Sequence, residues 1–472
     1  MRPQGNRKAE PTSLHRLNYC PQCLQKQQEI DRLREENARL KGRLRYQERS
    51  AREGPFGSST PSAKVPIKPS AAPDQPPRRG GARPGHRGHG RGTVSAAQAD
   101  RVQRIPVGPH CPQCGGPLQD KGVAARSVLD VEPLRRQTLH YQLEQKYCPH
   151  CRQAVSARAP GVLPRHLLGN RLLAHVAVQH YVHGVTLGQL ESQLHVGYGT
   201  LMGALHQLAR RLEPVIERLV REYRQAPVKH ADETGWRTDG RNGYAWLFCT
   251  DTISLFRFRQ TRSAQVAHQV LGTRRLGGVL VVDRYHGYNR SPCALQYCYA
   301  HLLRDVGDLE KEFPDQPEIQ RFVAALAPLL ARAMHLRGLQ LTPAQFRKQA
   351  AQTRAEIQAV TKAQAQHPAI QKFQNIFREK GHRLYHWAKN RDIPADNNRA
   401  ERELRPLVIA RKISFGSQSE AGARTREVLM SVLHTMRKRT GDVTATFQDA
   451  LDRLIQEPQL DLYPLLFRCD SS

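Results

Sequence analysis

What this chain lacks narrows its identity before any motif is read. Its apolar runs, such as Gly277–Val282, are far shorter than the roughly 20 residues a membrane-spanning helix needs, so no membrane role is expected. The opening MRPQGNRKAE has no apolar stretch of the kind a secretory signal carries, and the expected location is the cytoplasm. Aromatic residues make up 6% and hydrophobic residues 39% of the 472 positions, while 31 prolines and 34 glycines point to substantial linker. Acids are also scarce. There are 42 Asp and Glu against 73 Lys and Arg, a balance of +31. That excess is more than solubility requires and points to a polyanionic partner, nucleic acid before membrane.

Cysteine, by contrast, is present and patterned. Six of the ten fall in three CxxC pairs, which without an export signal reads as metal binding rather than a disulfide framework. The first pair, Cys20 and Cys23, precedes Ile30, Leu33, Asn37, Leu40 and Leu44, which step by the a/d spacing of a coiled coil over residues 1–53. Asn at an a position favours a fixed register and a dimer. A solvated amphipathic helix is the plainer alternative. Residues 54–105 form a basic Pro/Gly-rich linker that cannot bury enough apolar surface to fold alone. Residues 106–160 hold the other two pairs, Cys111 with Cys114 and Cys148 with Cys151. Two such knuckles separated by strand-like sequence are the pattern of a zinc ribbon, in which four thiolates close a structural Zn²⁺ site.

The pattern then turns helical over 161–225. Val185–Leu194, a turn at His195–Gly199 and the apolar-periodic stretch after it give the outline of a helix-turn-helix. An ordinary helical hairpin has the same outline. From 226 to 312 the reading is α/β, with strands at Val228–Asp232, Gly243–Thr250 and Ile253–Arg259, a helix near Ser263–Leu271, and a strand Gly277–Asp283. A short strand follows near Gln296–Tyr299, then a helix from about Ala300. Residues 313–392 are a helical insertion with a capping box at Thr342 and Gln345. An apolar stripe at Phe322, Leu326, Leu329, Leu330 and Ala333 precedes that box. The catalytic fold resumes over 393–445, ahead of a tail at 446–472.

Three carboxylates carry the chemistry. Asp232 and Asp283 each end a strand, and side by side they would begin a pocket for hard cations. The candidate third is Glu401, in the opening turns of a helix that starts after DNN in DNNRAERELR, where the positive end of the helix dipole keeps a carboxylate ionised. Glu233 should face away from Asp232 along an extended strand, and Glu403 lies about 200° round the helix from Glu401. Arg405, one turn from Glu401, is placed to touch a phosphate. Pro406 should kink that helix, because it removes an amide donor. Trp236 and Trp246 read as core or loop anchors.

Taken together, GARPGHRG, CPQCGG, DETGW, VVDRYHGY and NNRAERELRPLVIARK resemble the insertion sequence sixty-six family of bacterial transposases, of the DDE class. The resemblance covers nearly the whole chain. It implies a multidomain α/β protein with an RNase H-like mixed-sheet core, in which Asp232, Asp283 and Glu401 form the DDE triad and hold Mg²⁺ or Mn²⁺. It also implies double-stranded DNA partners, both transposon terminal inverted repeats and target DNA. A homodimer or higher oligomer, accessory proteins of the same element and a nucleoid-associated place in the bacterial cytoplasm complete the expectation. The block YCYAHLLRD at Tyr297–Asp305 belongs to the resemblance without fixing a role for His301. Two other functions stay open on sequence: a catalytically inactive, zinc-containing DNA-binding regulator, and a nuclease of the same fold that cleaves without joining.

Overall fold

The computed structural model describes residues 136–467 except 165 and 458, together with short pieces between 25 and 119. Cys20, Cys23, Cys111, Leu44 and most of the linker lie outside the described residues. The described positions between 25 and 40 are helical, and Ile30, Leu33 and Leu40 on them are exposed. The chain forms two compact units, one of them Pro66–His140. Its described pieces include a short 3-10 turn at Ala96–Gln98 and a loop around Cys114 closed by a His110–Pro117 bridge.

In the larger unit, β1 (Gln145–Cys148) and β2 (Gln153–Ser156) pair as an antiparallel hairpin. Of the strand-like sequence expected between the second and third CxxC pairs, the described residues begin at 136; among them 136–144 are irregular and the last four before the turn are strand. Three helices follow, α1 (Asn170–Tyr181), α2 (Leu187–Leu194) and α3 (Tyr198–Gln225). Thr186 and Gln189 form a reciprocal capping box that starts α2, and left-handed His195 (φ 50°) ends it. The outline of helix, short turn and helix is therefore present. However, α3 is 28 residues long, and its apolar stripe from Leu201 to Tyr223 is buried in one continuous core with the sheet.

The sheet has five strands: β3 (Val228–Thr238), β4 (Arg241–Cys249), β5 (Ser254–Arg259), β6 (Val279–Val282) and β7 (Ala294–Tyr297), in the spatial order β5-β4-β3-β6-β7. The first three are antiparallel, while β6 and β7 run parallel to β3. Helix α4 (Ala264–Leu271) crosses from β5 to β6, and α5 (Tyr299–Glu312) follows β7. This mixed sheet fits the expected core, although the connection from β6 to β7 holds only a 3-10 turn, His286–Tyr288. One boundary is corrected. β3 does not end at Asp232 but runs on to Thr238, because Asp239 (φ 50°) and Gly240 (φ 70°) supply the two left-handed residues of a tight hairpin. A second glycine sets the parallel half. A Cβ on Gly278 would lie 2.3 Å from the Pro227 carbonyl oxygen, so only glycine lets β6 come in beside β3.

The insertion is helical as expected, with α6 (Pro317–Leu336), α7 (Pro343–Lys362), α8 (Pro368–Lys380) and α9 (His386–Lys389). The capping box on Thr342 is present, and the stripe from Phe322 to Ala333 is buried. The chain returns to the sheet through α10 (Asn398–Ser414), then α11 (Glu420–Arg439), α12 (Val443–Gln456) and α13 (Leu462–Leu466). α10 continues through Pro406 for two further turns.

α11 closes one edge of the sheet. The outward amides of Ser254, Phe256 and Phe258 on β5 donate to Thr435 Oγ1 (3.1 Å), Ser431 Oγ (2.9 Å) and Glu427 Oε2 (3.1 Å). Four helical residues advance about 6 Å and two strand residues about 6.8 Å, so acceptors one turn apart match successive outward amides. At the other edge, Gln296 Oε1 on β7 accepts from the His386 amide at 2.9 Å, and its Nε2 donates to the Leu384 carbonyl at 3.3 Å. Tyr299 adds a second bond to Leu384 at 2.7 Å.

Candidate active site

The parallel register decides which acids meet. Val228 lies opposite Val279 and His230 opposite Val281, and the same offset carried two residues on sets Asp232 beside Asp283. The next pair repeats the relation. Val282 lies opposite Tyr297, so Asp283 is flanked in turn by Cys298. On that offset Asp232, Asp283 and Cys298 fall on one row, just beyond the last paired residues of the three parallel strands.

α10 brings Glu401 across from this row, and a buried asparagine holds it there. Asn397 occupies the cap position of α10 but makes no side-chain cap bond. Its side chain is spent on β3 instead, its Oδ1 meeting His230 Nδ1 at 2.9 Å and its Nδ2 donating to the Ala231 carbonyl at 2.9 Å. Its amide donates to Cys298 Sγ at 3.1 Å. The expected cap is therefore a cross-brace, tying the first turn of α10 to the residue before Asp232 and to the start of α5. Sequence reasoning identified the cap position but not this role. The doublet Asn397-Asn398 was the available signal.

The electrostatics follow from crowding. Burial, then the charges of Glu233, Asp283 and Glu401, push the Asp232 carboxyl well above its ordinary range. Burial and Glu233 push Asp283 up to about 7, against the opposing pull of the Tyr285 amide, Arg262 and Arg284. Each acid is anchored by one backbone amide, Glu233 N to Asp232 Oδ1 at 2.9 Å and Tyr285 N to Asp283 Oδ1 at 2.8 Å. Half-buried carboxylates left crowded in this way are suited to an oxygen-seeking divalent cation.

Glu401 has its own company. Arg304 donates to its Oε1 at 2.9 Å, and His301 Nδ1 lies 3.8 Å from the same oxygen. Among the described residues, Cys298, His301 and Glu401 are the three metal-capable groups whose ligand atoms all fall within 4.8 Å of one another; the three expected acids do not draw that close. Burial, with Arg304 and Arg284 nearby, depresses His301 to about 3, so its ring is neutral. Burial and the Glu401 charge push the Cys298 thiol up to about 12.

The neighbouring acids have other partners. Glu233 is buried, takes two bonds from Arg262 (Nε at 2.9 Å) and one from the Tyr288 hydroxyl. Glu403 faces away, pairing with Lys438 at 2.7 Å and accepting from Ser254 at 2.8 Å. Trp236 and Trp246 are both core, and Arg405 is exposed. In the hairpin, Cys148 ends β1 and Cys151 lies in the turn, where bonds from Cys151 and the His150 amide lower the Cys148 thiol. Cys114 lies in the other unit and Cys111 outside the described residues.

A family model described as "Transposase IS66 family" matches residues 165–425. The chain belongs to the IS66 transposase family. The match runs from α1 into α11, spanning the sheet, the insertion and all three acids. Relatives in Sinorhizobium fredii (strain NBRC 101917 / NGR234) are similar over most of their length. The uncharacterized protein y4jD is 26% identical over 73% of this chain and 74% of its own. The uncharacterized protein y4qI is 25% identical over 76% and 74%, and y4hP 22% over 75% and 72%. Among the described residues, no helix of this family member is long and apolar enough to cross a membrane.

Proposed function

We propose that this IS66 family protein is an RNase H-like DDE transposase that binds transposon terminal inverted repeats, cleaves a DNA strand and joins the freed end to target DNA. What supports the proposal is the parallel register of Val228–His230 with Val279–Val281, which carried two residues on would bring Asp232 beside Asp283, together with the charges of Asp283 and Glu401 felt at Asp232. These three carboxylates would hold Mg²⁺ or Mn²⁺. Two such ions, when bound, activate an attacking oxygen and stabilise the leaving one in an in-line displacement.

The chain's own residues hold and balance the acids. The amides of Glu233 and Tyr285 orient Asp232 and Asp283, Asn397 fixes α10 to β3, and Arg304 compensates Glu401. The excess of +31 supports the DNA partner, since phosphate contacts supply most sequence-independent affinity. Cys148 and Cys151 would contribute thiolates to a structural Zn²⁺ site, and the heptads at Ile30–Leu44 would pair two copies.

The test is a cleavage and strand-transfer assay on DNA carrying the element's ends, with and without Mg²⁺ or Mn²⁺. The parent should cut and join only with metal. Asp232→Asn, Asp283→Asn and Glu401→Gln should each lose at least a hundredfold of both steps while still binding end DNA. Parental cutting by Asp232→Asn would overturn the triad. Cutting without joining would reduce the protein to a nuclease.

A further inference from the structure

Next to the acids stands a group the triad does not use. His301 Nδ1 is shielded from solvent and has no hydrogen-bond partner. It lies 3.8 Å from Glu401 Oε1, with Cys298 Sγ completing a set within 4.8 Å. A buried imidazole nitrogen normally finds a partner, and this one faces a carboxylate oxygen across a gap too wide for a hydrogen bond. One divalent ion would close that gap. Bonds of Zn²⁺ to an imidazole nitrogen and to a carboxylate oxygen run about 2.0 to 2.2 Å and those of the larger Mn²⁺ slightly longer, so an ion between the two atoms could reach both without moving either.

We propose that His301 is a metal ligand partnered with Glu401, and that its nitrogen gives this position a preference for Mn²⁺ over Mg²⁺. The inference rests on the reading of Glu401 as a metal-binding carboxylate. Mg²⁺ demands a near-ideal octahedron of oxygens and is poorly served by imidazole, whereas Mn²⁺, a first-row transition ion, also takes mixed nitrogen and oxygen sites, at the weak end of that series. Cys298 stands beside the pair as a neutral thiol whose sulfur receives the Asn397 amide, and it lines the position. His301 is set by the fold rather than by a flexible loop. It falls in the first turn of α5, three residues after the end of the parallel register that aligns Asp283 with Cys298. Arg304 holds Glu401 Oε1 in the metal-free arrangement, so an arriving ion exchanges for a guanidinium rather than entering an unopposed charge.

The experiment uses the full chain, stripped of divalent ions and titrated with Mn²⁺ alone, read by electron spin-echo envelope modulation and by equilibrium Mn²⁺ binding. The parent should show modulation from an imidazole nitrogen bound to Mn²⁺. His301→Asn should abolish it, weaken Mn²⁺ binding about tenfold or more, and leave Mg²⁺ binding, measured by competition, within about threefold. Arg304→Gln, which keeps the histidine and removes the competing cation, should tighten Mn²⁺ binding and retain the nitrogen signal. That second variant guards against misreading a folding defect in His301→Asn. The proposal falls if the parent shows no nitrogen modulation, or if His301→Asn retains it with parental affinity. The spectroscopic readout is independent of DNA cleavage, so a protein that binds Mn²⁺ through His301 but fails to cut DNA would refute the transposase reading and leave this one standing.

Discussion

Single side chains at this site trade stability for chemistry. Asp232 is pushed upward by burial and the charges of Glu233, Asp283 and Glu401, and Asp283 by burial and Glu233, so the metal-free fold carries repulsion that a neutral isostere removes. Asp283→Asn is therefore expected to raise the melting temperature in chelator by a few degrees, a gain of about 1 kcal/mol, while abolishing cleavage. Differential scanning fluorimetry with and without Mg²⁺ checks both the sign and its disappearance on metal addition. Glu233 behaves in the opposite way. Its pairing with Arg262 and Tyr288 is buried, and breaking a buried ion pair from one side costs about 3–5 kcal/mol. Glu233→Gln should melt markedly lower than the parent, measured on the same instrument, and any lost activity would then follow from lost fold. Alternation along the strand makes Glu233 look like a harmless neighbour of Asp232, yet its charge is the first felt at both Asp232 and Asp283. What surrounds it depends on Arg262 and Tyr288, 29 and 55 residues further along, and no local rule reveals it.

At the scale of elements, much was legible. The strands β4 to β7, the helix α4 and the capped helix α7 lie within a residue or two of where alternation, periodicity and the Thr342 box put them. Asp283 could be singled out because a carboxylate closing an apolar run is visible in sequence, Asp232 because it falls at the end of a short run that reads as a strand, and Glu401 because a helix start is visible. The offset that relates the two aspartates was not, since it depends on a parallel register fixed by Gly278 against Pro227. The role of Asn397 was likewise hidden, because local rules read an asparagine before a helix as a cap and cannot see a strand waiting 166 residues back. Helix α11 is the other element whose purpose is tertiary. Ser431→Ala leaves the Phe256 amide buried without an acceptor and should cost about 1–3 kcal/mol. Glu427→Ala strands Arg257 and Arg259 as well and should cost more. Urea unfolding of the two variants would order them.

At the scale of the whole molecule, the helices before the sheet and those after it share one core, and histidines join them. His180 Nδ1 donates to the Val185 carbonyl at 2.8 Å while Arg426 donates to its Nε2 at 3.2 Å, and His434 Nε2 donates to the Tyr181 carbonyl at 3.1 Å. Burial depresses both rings to about 4, so each is neutral in the folded chain and free to protonate at about 6.5 in the unfolded one. The folded state then binds fewer protons between those values. The contribution of these two rings is full above about pH 6.5 and declines as pH falls toward 4, by roughly 1.4 kcal/mol per pH unit for each ring, while the raised Asp232 and Asp283 act in the opposite sense over the same range. Melting curves from pH 7.5 to 4.5 should show the decline, and His434→Gln should flatten it.

The edge bonds made by α11 and by residues 384–387 also set a timetable. The last strand of the sheet ends at Tyr297, yet the side chains that close β5 arrive only with Glu427, Ser431 and Thr435. During synthesis the five strands leave the ribosome with an unsatisfied rim, a template for pairing with another chain. A product ending at 419, before α11, is expected to sediment as aggregate where the intact chain stays in solution. A frameshift or premature stop in this region would then yield aggregated chains rather than a soluble fragment able to compete with the intact protein for DNA ends.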